Sequence, residues 1–317
     1  MKIAFVLDPL DSIKTYKDSS YAMMQEASAR GHALSSLQQE DLVVRNGKVL
    51  GYARALSLTP DANHWYRVGE RTPVGLETFD AVMMRKDPPF DMEYIYSTYL
   101  LELAQRQGAR VINDPRAVRD HNEKLAIFRF PEFTVPTLVT REEPLIREFL
   151  ALHGDIIVKP LDGMGGASVF RLHRQDYNIG VVIETLTHHG QRTVMAQKFI
   201  PEIVKGDKRV LIIDGEPVPY ALARIPKQGE TRGNLAAGGT GVAQPLSARD
   251  LDIARALGPQ LKAAGLLLVG LDVIGDYLTE VNVTSPTCMR EIADQTGFNV
   301  AAMVIDALER HSERRVA

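Results

Sequence analysis

Four strings of the 317-residue chain carry residue types suited to phosphate and carboxylate chemistry. The first runs Lys159-Pro-Leu-Asp-Gly163-Met-Gly165-Gly166-Ala-Ser168, a lysine at a strand end followed by a glycine-dense turn. Without a Cβ, glycines let backbone N–H groups close around phosphate oxygens, and the lysine adds a point charge. The string is neither a Walker A sequence nor a Rossmann fingerprint, because no helix pattern follows it, and a plain hairpin is the competing reading. The second string, Asp272-Val-Ile-Gly-Asp-Tyr-Leu-Thr-Glu280-Val-Asn282, reads as a hairpin around Gly275. Two apart on a strand, Glu280 and Asn282 share one face and offer the hard oxygens that Mg²⁺ takes beside substrate phosphates. Asp272 joins them only with the right turn. A two-residue turn pairs it with Thr279 and points it away, whereas a three-residue turn pairs it with Glu280. Alternating acids usually mark the wet face of an antiparallel sheet. Dense apolar neighbours and the polar Thr284-Ser285-Pro286-Thr287 downstream weigh against that here.

The third string pairs arginines across a hairpin of residues 208–213 and 217–224. With Asp214-Gly215 as a two-residue turn, Arg224 stands opposite Lys205, and Arg209 lies on the same face. Two planar guanidinium forks could then converge on one anion and offset charge gathering on a transferring phosphoryl group; exposed sheet arginines are the plain alternative. The fourth string, Gln228 to Gly241, is rich in glycine yet holds Arg232 and Asn234. Linkers seldom mix an arginine and apolar residues with their glycines, whereas a lid over a reacting site needs both mobility and polar contacts.

The elements that must position these strings follow from periodicity. Residues 2–7 form a buried strand, a helix capped by Asp18, Ser19 or Ser20 ends at Gly31, and residues 81–85 form another strand. A helix from Asp91 to Gln107 and a short strand at Val111-Ile112 complete an open α/β lobe over about the first 120 residues. Asn46-Gly47 signals a hairpin, and residues 59–75 read as a surface loop. A second unit opens near His121 with a helix through Lys124. Strand 134–139, helix 143–152, strands 155–160 and 168–172, helix 179–188 and strand 193–199 follow. The third segment holds the arginine hairpin, the glycine-rich stretch, helix 248–264, the acidic hairpin and a terminal helix 299–311.

Bulk properties narrow the function. The chain is 45% hydrophobic and 24% charged with a formal net charge of -3, so no global basic field is available to hold nucleic acid. No apolar run approaches the ~20 residues of a membrane helix, and Met1-Lys-Ile-Ala-Phe-Val-Leu7 is too short for a signal-peptide core. The single cysteine, Cys288, cannot form an internal disulfide, fits a reducing cytoplasm, and reads as a small buried hydrophobe.

In that order, a glycine turn with its lysine, converging arginines, a glycine lid and a hairpin ending in Glu-x-Asn resemble the ATP-grasp superfamily. The longer strings Met84-Arg-Lys-Asp-Pro-Pro-Phe-Asp91, Lys159 to Ser168, Arg224-Ile-Pro226 through Gly239, and Thr279-Glu-Val-Asn-Val-Thr-Ser-Pro-Thr287 resemble bacterial glutathione synthetase. D-alanine–D-alanine ligases and glutamate-adding enzymes share the acidic hairpin, but they usually follow it with a Pro-Gly turn that is absent here. A non-catalytic ATP-binding module would have lost acids or arginines, and all are present.

The resemblance implies an α/β fold of the ATP-grasp type. An N-terminal open α/β domain would span 1–122, a small central lid domain 123–200, and a C-terminal antiparallel-sheet domain 201–317 with glycine-rich loop 226–241. It implies ligation of γ-glutamylcysteine to glycine through an acyl phosphate, with ATP as co-substrate, two Mg²⁺ ions for which Mn²⁺ could substitute, a cytoplasmic location and a homo-oligomer, by family a tetramer. Carried over by position, Lys124 and Lys159 would hold ATP phosphates beneath Gly163, Gly165, Gly166 and Ser168. Gln197, Lys198, Phe199 and Ile200 would line the adenine pocket and Asp207 would lie near the ribose. Asp272, Glu280 and Asn282 would bind the metal ions. Arg209 and Arg224 would stabilise the transferring phosphoryl group, with Arg232 and Asn234 acting from the lid, and Arg85, Ser285 and Thr287 would bind the dipeptide.

Overall fold

In the computed structural model, which describes residues 1–61, 64–233, 235 and 238–313, three sheets carry the strings above. The first is eight-stranded: β1 Lys2–Val6, β2 Ala33–Leu37, β3 Leu42–Arg45, β4 Lys48–Leu58, β5 Tyr66–Val68, β6 Thr72–Gly75, β7 Ala81–Met84 and β8 Val111–Ile112. Its main path runs β3-β4-β2-β1-β7-β8, with β5 and β6 both added to β4. The strands β2-β1-β7-β8 are parallel, which buries β1 on both faces and explains its continuous apolar run. Helix α1 Ser19–Ala29 starts where the Asp18 carboxylate accepts the Tyr21 N–H at 2.7 Å. Asn46 and Gly47, at φ of 51° and 77°, form the hairpin turn read from the sequence.

Two expectations change in this lobe. The stretch 59–75, read as a loop, contributes β5 and β6, because the eleven-residue β4 is long enough to pair with two further short strands. Ala62 and Asn63 of that stretch lie outside the described residues. After α2 Met92–Arg106, the helix placed near His121 begins earlier, as α3 Pro115–Asp120. Asp114 caps it through the Ala117 N–H, and Pro115 suits a first helical turn; Lys124 then precedes a short 3-10 turn, Leu125–Arg129.

The second sheet is β9 Thr137–Thr140, β10 Asp155–Pro160, β11 Phe170–His173 and β12 Val194–Lys198, ordered β11-β10-β12-β9 and antiparallel throughout. Helices α4 Glu143–His153 and α5 Ile179–Thr187 pack on it through Ile146, Leu150 and Ile183. These side chains, with Ile156, Val158 and Val194, form a small core of their own. The third sheet is β13 Asp207–Ile213, β14 Glu216–Ile225, β15 Thr240–Pro245, β16 Leu268–Ile274 and β17 Tyr277–Asn282, in the order β15-β14-β13-β16-β17. Helices α6 Ala248–Ala263, α7 Met289–Thr296 and α8 Val300–Glu313 complete the unit, and α6 opens on a reciprocal Ser247–Asp250 capping box.

The first and third sheets share two continuous apolar clusters, one joining Val6 and Leu101 to Val269 and Val281 and reaching Met195 of the second sheet, the other joining Phe5 and Met24 to Ile213 and Val304. A buried amide fastens the same junction. Asn113 donates to the carbonyls of Leu268 at 2.8 Å and Val283 at 3.0 Å, and accepts the Leu268 N–H at 2.9 Å. Removing it strands three buried backbone groups. Asn113→Ala should therefore cost about 2–4 kcal/mol, read from urea unfolding of the unliganded protein. A loss under about 0.5 kcal/mol, the scale of a surface change, would show that water replaces the amide there.

Candidate active site

The base of the site is built by two hairpins of the third sheet, and each reaches its register through a bulge. In β13–β14 the turn at Asp214-Gly215 holds as read, with Ile213 opposite Glu216, but the ladder shifts between Val210 and Ile212. Arg224 consequently stands opposite Asp207 rather than Lys205. Because the shift is by two residues, Arg209 and Arg224 still share a face. In β16–β17 the turn is the two-residue one, with Ile274 opposite Tyr277, yet a bulge between Asp272 and Val273 sets Asp272 opposite Glu280. That combination differs from both turns weighed from the sequence, since a local ladder irregularity leaves no signal in residue type.

Asp272 ends up between both arginines, 2.6 Å from Arg209 and 2.9 Å from Arg224, while Arg224 also reaches Asp207 at 2.5 Å. Glu280 faces the lysines, 3.1 Å from Lys159 and 3.7 Å from Lys124. Lys124 further donates to the Gly163 carbonyl at 2.7 Å. Burial raises the cost of each carboxylate's charge, but Arg209 and Arg224 hold Asp272 below its ordinary range, and Lys124 and Lys159 do the same for Glu280. Asp207 goes the other way: burial, with the Asp272 charge beside it, pushes it up to about 7 against the pull of Arg224.

Two cavities meet at this network. A cleft of about 860 Å³ between the second and third sheets is lined by Lys124, Lys159, Gly163, Gly165, Gly166 and the run Gln197 to Ile200, with Asp207, Arg232, Asp272 and Glu280. A second cavity, about 1140 Å³, is lined by Arg209, Arg224, Asp272, Glu280, Asn282, Ser285 and Thr287. Three residues named from the sequence lie elsewhere. Ser168, at φ 58°, takes part in the turn but is exposed and outside the cleft lining. Arg85 is buried behind the second cavity, donating to Ser20 Oγ at 3.1 Å and the Pro286 carbonyl at 2.9 Å, with Nη1 unpartnered. Asn234 lies outside the described residues. Arg232 pairs with Glu230 at 2.6 Å and approaches the Gly166 carbonyl at 3.4 Å, so the glycine-rich stretch touches the glycine turn.

Sequence reasoning missed several lining residues. Glu123 accepts from the backbone of Val283 and Thr284 and from the Thr284 hydroxyl, at 2.9, 3.1 and 2.8 Å, and burial raises its pKa. Lys17, Asp18, Cys288 and Glu291 also line the second cavity. They come from the loop before α1 and the start of α7, which only the shared core brings together, so no spacing in the chain announces them. Cys288 is buried as read, although it adopts φ 85° and faces this cavity.

Three sheets arranged this way around a charged interlobe cleft define an ATP-grasp ligase. D-cycloserine synthetase DcsG shares the fold with a TM-score of 0.70 at 17% identity, over 98% of this chain and 100% of that one. The family description "Prokaryotic glutathione synthetase, ATP-grasp domain" matches residues 123–297, and "Prokaryotic glutathione synthetase, N-terminal domain" matches residues 1–119. Glutathione synthetase of Nitrosomonas europaea is 67% identical, covering 99% of both chains, and that of Ralstonia nicotianae is 64% identical, covering 98% of this chain and 96% of its own. The chain belongs to the prokaryotic glutathione synthetase family and is an ATP-dependent carboxylate–amine ligase.

The Asp207 carboxyl gives the unliganded site a pH signature. A folded-state value of about 7 lies above the ~3.9 of an aspartate in an unfolded chain, so the folded protein binds this proton more tightly. The stability that the protonated group contributes is complete below the unfolded value and is lost as pH rises through about 7. Urea unfolding at a series of pH values should show stability falling across this window, with a shallower fall in Asp207→Asn. Equal slopes in the two proteins would contradict the assignment.

Proposed function

We propose that the two cavities divide one reaction, the joining of γ-glutamylcysteine to glycine, with ATP in the interlobe cleft and the dipeptide in the second cavity. The observation that carries this is the network where they meet, four buried cations interleaved with Asp272 and Glu280. Lys124 and Lys159 hold the ATP phosphates under the glycine turn at Gly163, Gly165 and Gly166. Gln197 to Ile200 receive the adenine and Asp207 the ribose. An oxygen of the cysteinyl carboxylate attacks the γ-phosphorus, and the bond to the bridging oxygen breaks as ADP leaves. Arg209 and Arg224 face that transfer and stabilise the charge on the moving group. The glycine amine then attacks the acyl carbon, phosphate departs, and the nitrogen loses its proton. Arg232, on loop 226–241, closes over the acyl phosphate and excludes water, while Ser285 and Thr287 hold the dipeptide and Arg85, behind the cavity, fixes the Pro286 carbonyl between them.

The donor set suits magnesium. Asp272 and Glu280 offer carboxylate oxygens, and Asn282 donates its amide N–H to the Gly270 carbonyl at 3.1 Å, which leaves its oxygen for the cavity. When bound, two Mg²⁺ ions supply Lewis-acid neutralisation of phosphate oxygens, and Mn²⁺ suits the same donors. We take residues 1–122, 123–200 and 201–317 as the three lobes, the second being the nucleotide lid because it keeps a separate core. A homo-oligomer, a tetramer by family, is supported by Met92, Tyr96 and Tyr99, half-exposed at helical spacing on α2. A cytoplasmic setting fits the single free thiol.

The test is stoichiometric release of ADP, phosphate and glutathione from γ-glutamylcysteine, glycine and ATP, together with Glu280→Gln. That variant should lose turnover by more than about 100-fold, since a charged ligand at the phosphates disappears. Its thermal midpoint should move by only a few degrees, because glutamine keeps the volume and the lysines retain the Gly163 and Thr279 carbonyls. Normal turnover in saturating magnesium would remove Glu280 from the site.

A further inference from the structure

Beside the run Gln197 to Ile200 stands a residue that no motif marks. In the second sheet Arg171 of β11 is the register partner of Ile157 in β10, and Ile157 is the partner of Gln197 in β12. Register partners share a face, and Ile157 and Gln197 both line the interlobe cleft, as does Val169, two residues before Arg171. Arg171 therefore projects from the nucleotide-facing side of the sheet. Its guanidinium lies 3.6 Å from the centre of the Phe199 ring. It is held there by a two-pronged ion pair with Asp155, Nε at 3.0 and 3.2 Å from the two carboxylate oxygens and Nη2 at 2.6 Å. The same Asp155 accepts the Phe199 N–H on its backbone carbonyl at 3.0 Å.

Phe199 is thus gripped twice, through its ring and through its backbone, by two residues that also grip each other. Such redundancy is what holds a recognition segment in one geometry. The hydrogen-bonding groups of residues 198–200 can read the edge of a base only if the segment stays extended at the strand end. A planar guanidinium suits this task where an ammonium would not, because it can stack on an aromatic face while its edge engages a carboxylate.

We propose that Arg171, clamped by Asp155 and stacked on Phe199, is the positioning residue for the nucleobase and sets both the affinity for ATP and the preference for adenine. It acts through Phe199. The proposal rests on the reading that residues 197–200 receive the adenine.

Arg171→Met keeps an apolar stem over Phe199 but loses the stack and both prongs. With the complete enzyme and all three substrates, KM for ATP should rise roughly five- to tenfold, the scale of a lost cation–π contact plus a partly exposed ion pair. The value of kcat should stay within about twofold, and KM for γ-glutamylcysteine and glycine should not move. The ratio of kcat/KM for ATP over GTP should fall in step. Arg171→Lys should recover only part of the loss, because an ammonium cannot stack on Phe199 and make the two-pronged pair with Asp155 at once. Asp155→Asn should reproduce the same pattern more weakly, and it supplies the readout should Arg171→Met fold poorly. A KM for ATP and an ATP/GTP ratio equal to the parent's, in variants that melt as the parent does, would overturn the proposal. Lys159→Met separates this failure from failure of the cleft reading. If that substitution also leaves ATP binding intact, the cleft does not hold the nucleotide; if it weakens binding while Arg171→Met does not, the positioning role alone is wrong.

Discussion

Burying charge in the right company is the constraint on which the rest of this structure depends. Asp272, Arg209, Arg224, Lys124 and Lys159 are each at most 6% exposed. Any one of them left alone in such a place would cost several kcal/mol, so the group is tolerable only as a set. Its members come from separate parts of the chain: Lys124 from the connection after α3, Lys159 from the second sheet, and the others from the third. The chain must bring all of these together to neutralise any of them. Both hairpin bulges serve that end, since without them Arg224 would leave Asp207 and Asp272 would leave Glu280.

The same network explains how a stable fold can also be an open one. The second sheet keeps a small apolar core of its own and joins the third's through Met195 as well as through Lys159, whereas the first and third sheets share two cores and the Asn113 amide. Apolar burial dominates the first junction, and ionic contacts add to a smaller apolar one at the second. Phosphate oxygens can take the place of Glu280 at Lys124 and Lys159 without asking the cations to return to water. The glycine-rich stretch is subtler than its composition suggests. A Cβ on Gly233 would come within 2.3 Å of the Arg224 carbonyl, and one on Gly239 within 2.4 Å of the Gly233 carbonyl. These glycines permit close backbone packing over the arginine site.

Much of this was legible in the sequence, for reasons of periodicity. The helices at 92–106, 143–153 and 248–263, and the two hairpins of the third sheet, are strongly patterned and stand within a residue or two of where pattern puts them. So are the residues of the network, because a lysine before glycines and a Glu-x-Asn strand carry their chemistry in their spacing. Three kinds of feature were not legible. Ladder bulges leave no mark in residue type, so the partner of Arg224 was wrong by two and the turn beside Asp272 was ambiguous. Short edge strands such as β5 and β6 draw their stability from β4 rather than from their own three or four residues. Lining groups that depend on long-range packing, Glu123 and Glu291 among them, look like ordinary surface charges until the topology joins them.

We propose that the acids of the site are satisfied by protein cations in the free enzyme, and that nucleotide phosphates take those cations before a metal ion binds. Arg209 and Arg224 engage Asp272, and Lys159 with Lys124 engages Glu280, so in the free protein each carboxylate already has a cationic partner that a lone divalent cation would have to displace. Electron paramagnetic resonance of Mn²⁺ titrated into the enzyme, alone and with a non-hydrolysable ATP analogue, measures this directly. The account predicts no tight Mn²⁺ site in the unliganded protein, and with the analogue a bound signal of higher affinity than the analogue alone gives in solution. Equally tight binding with and without the nucleotide would contradict it.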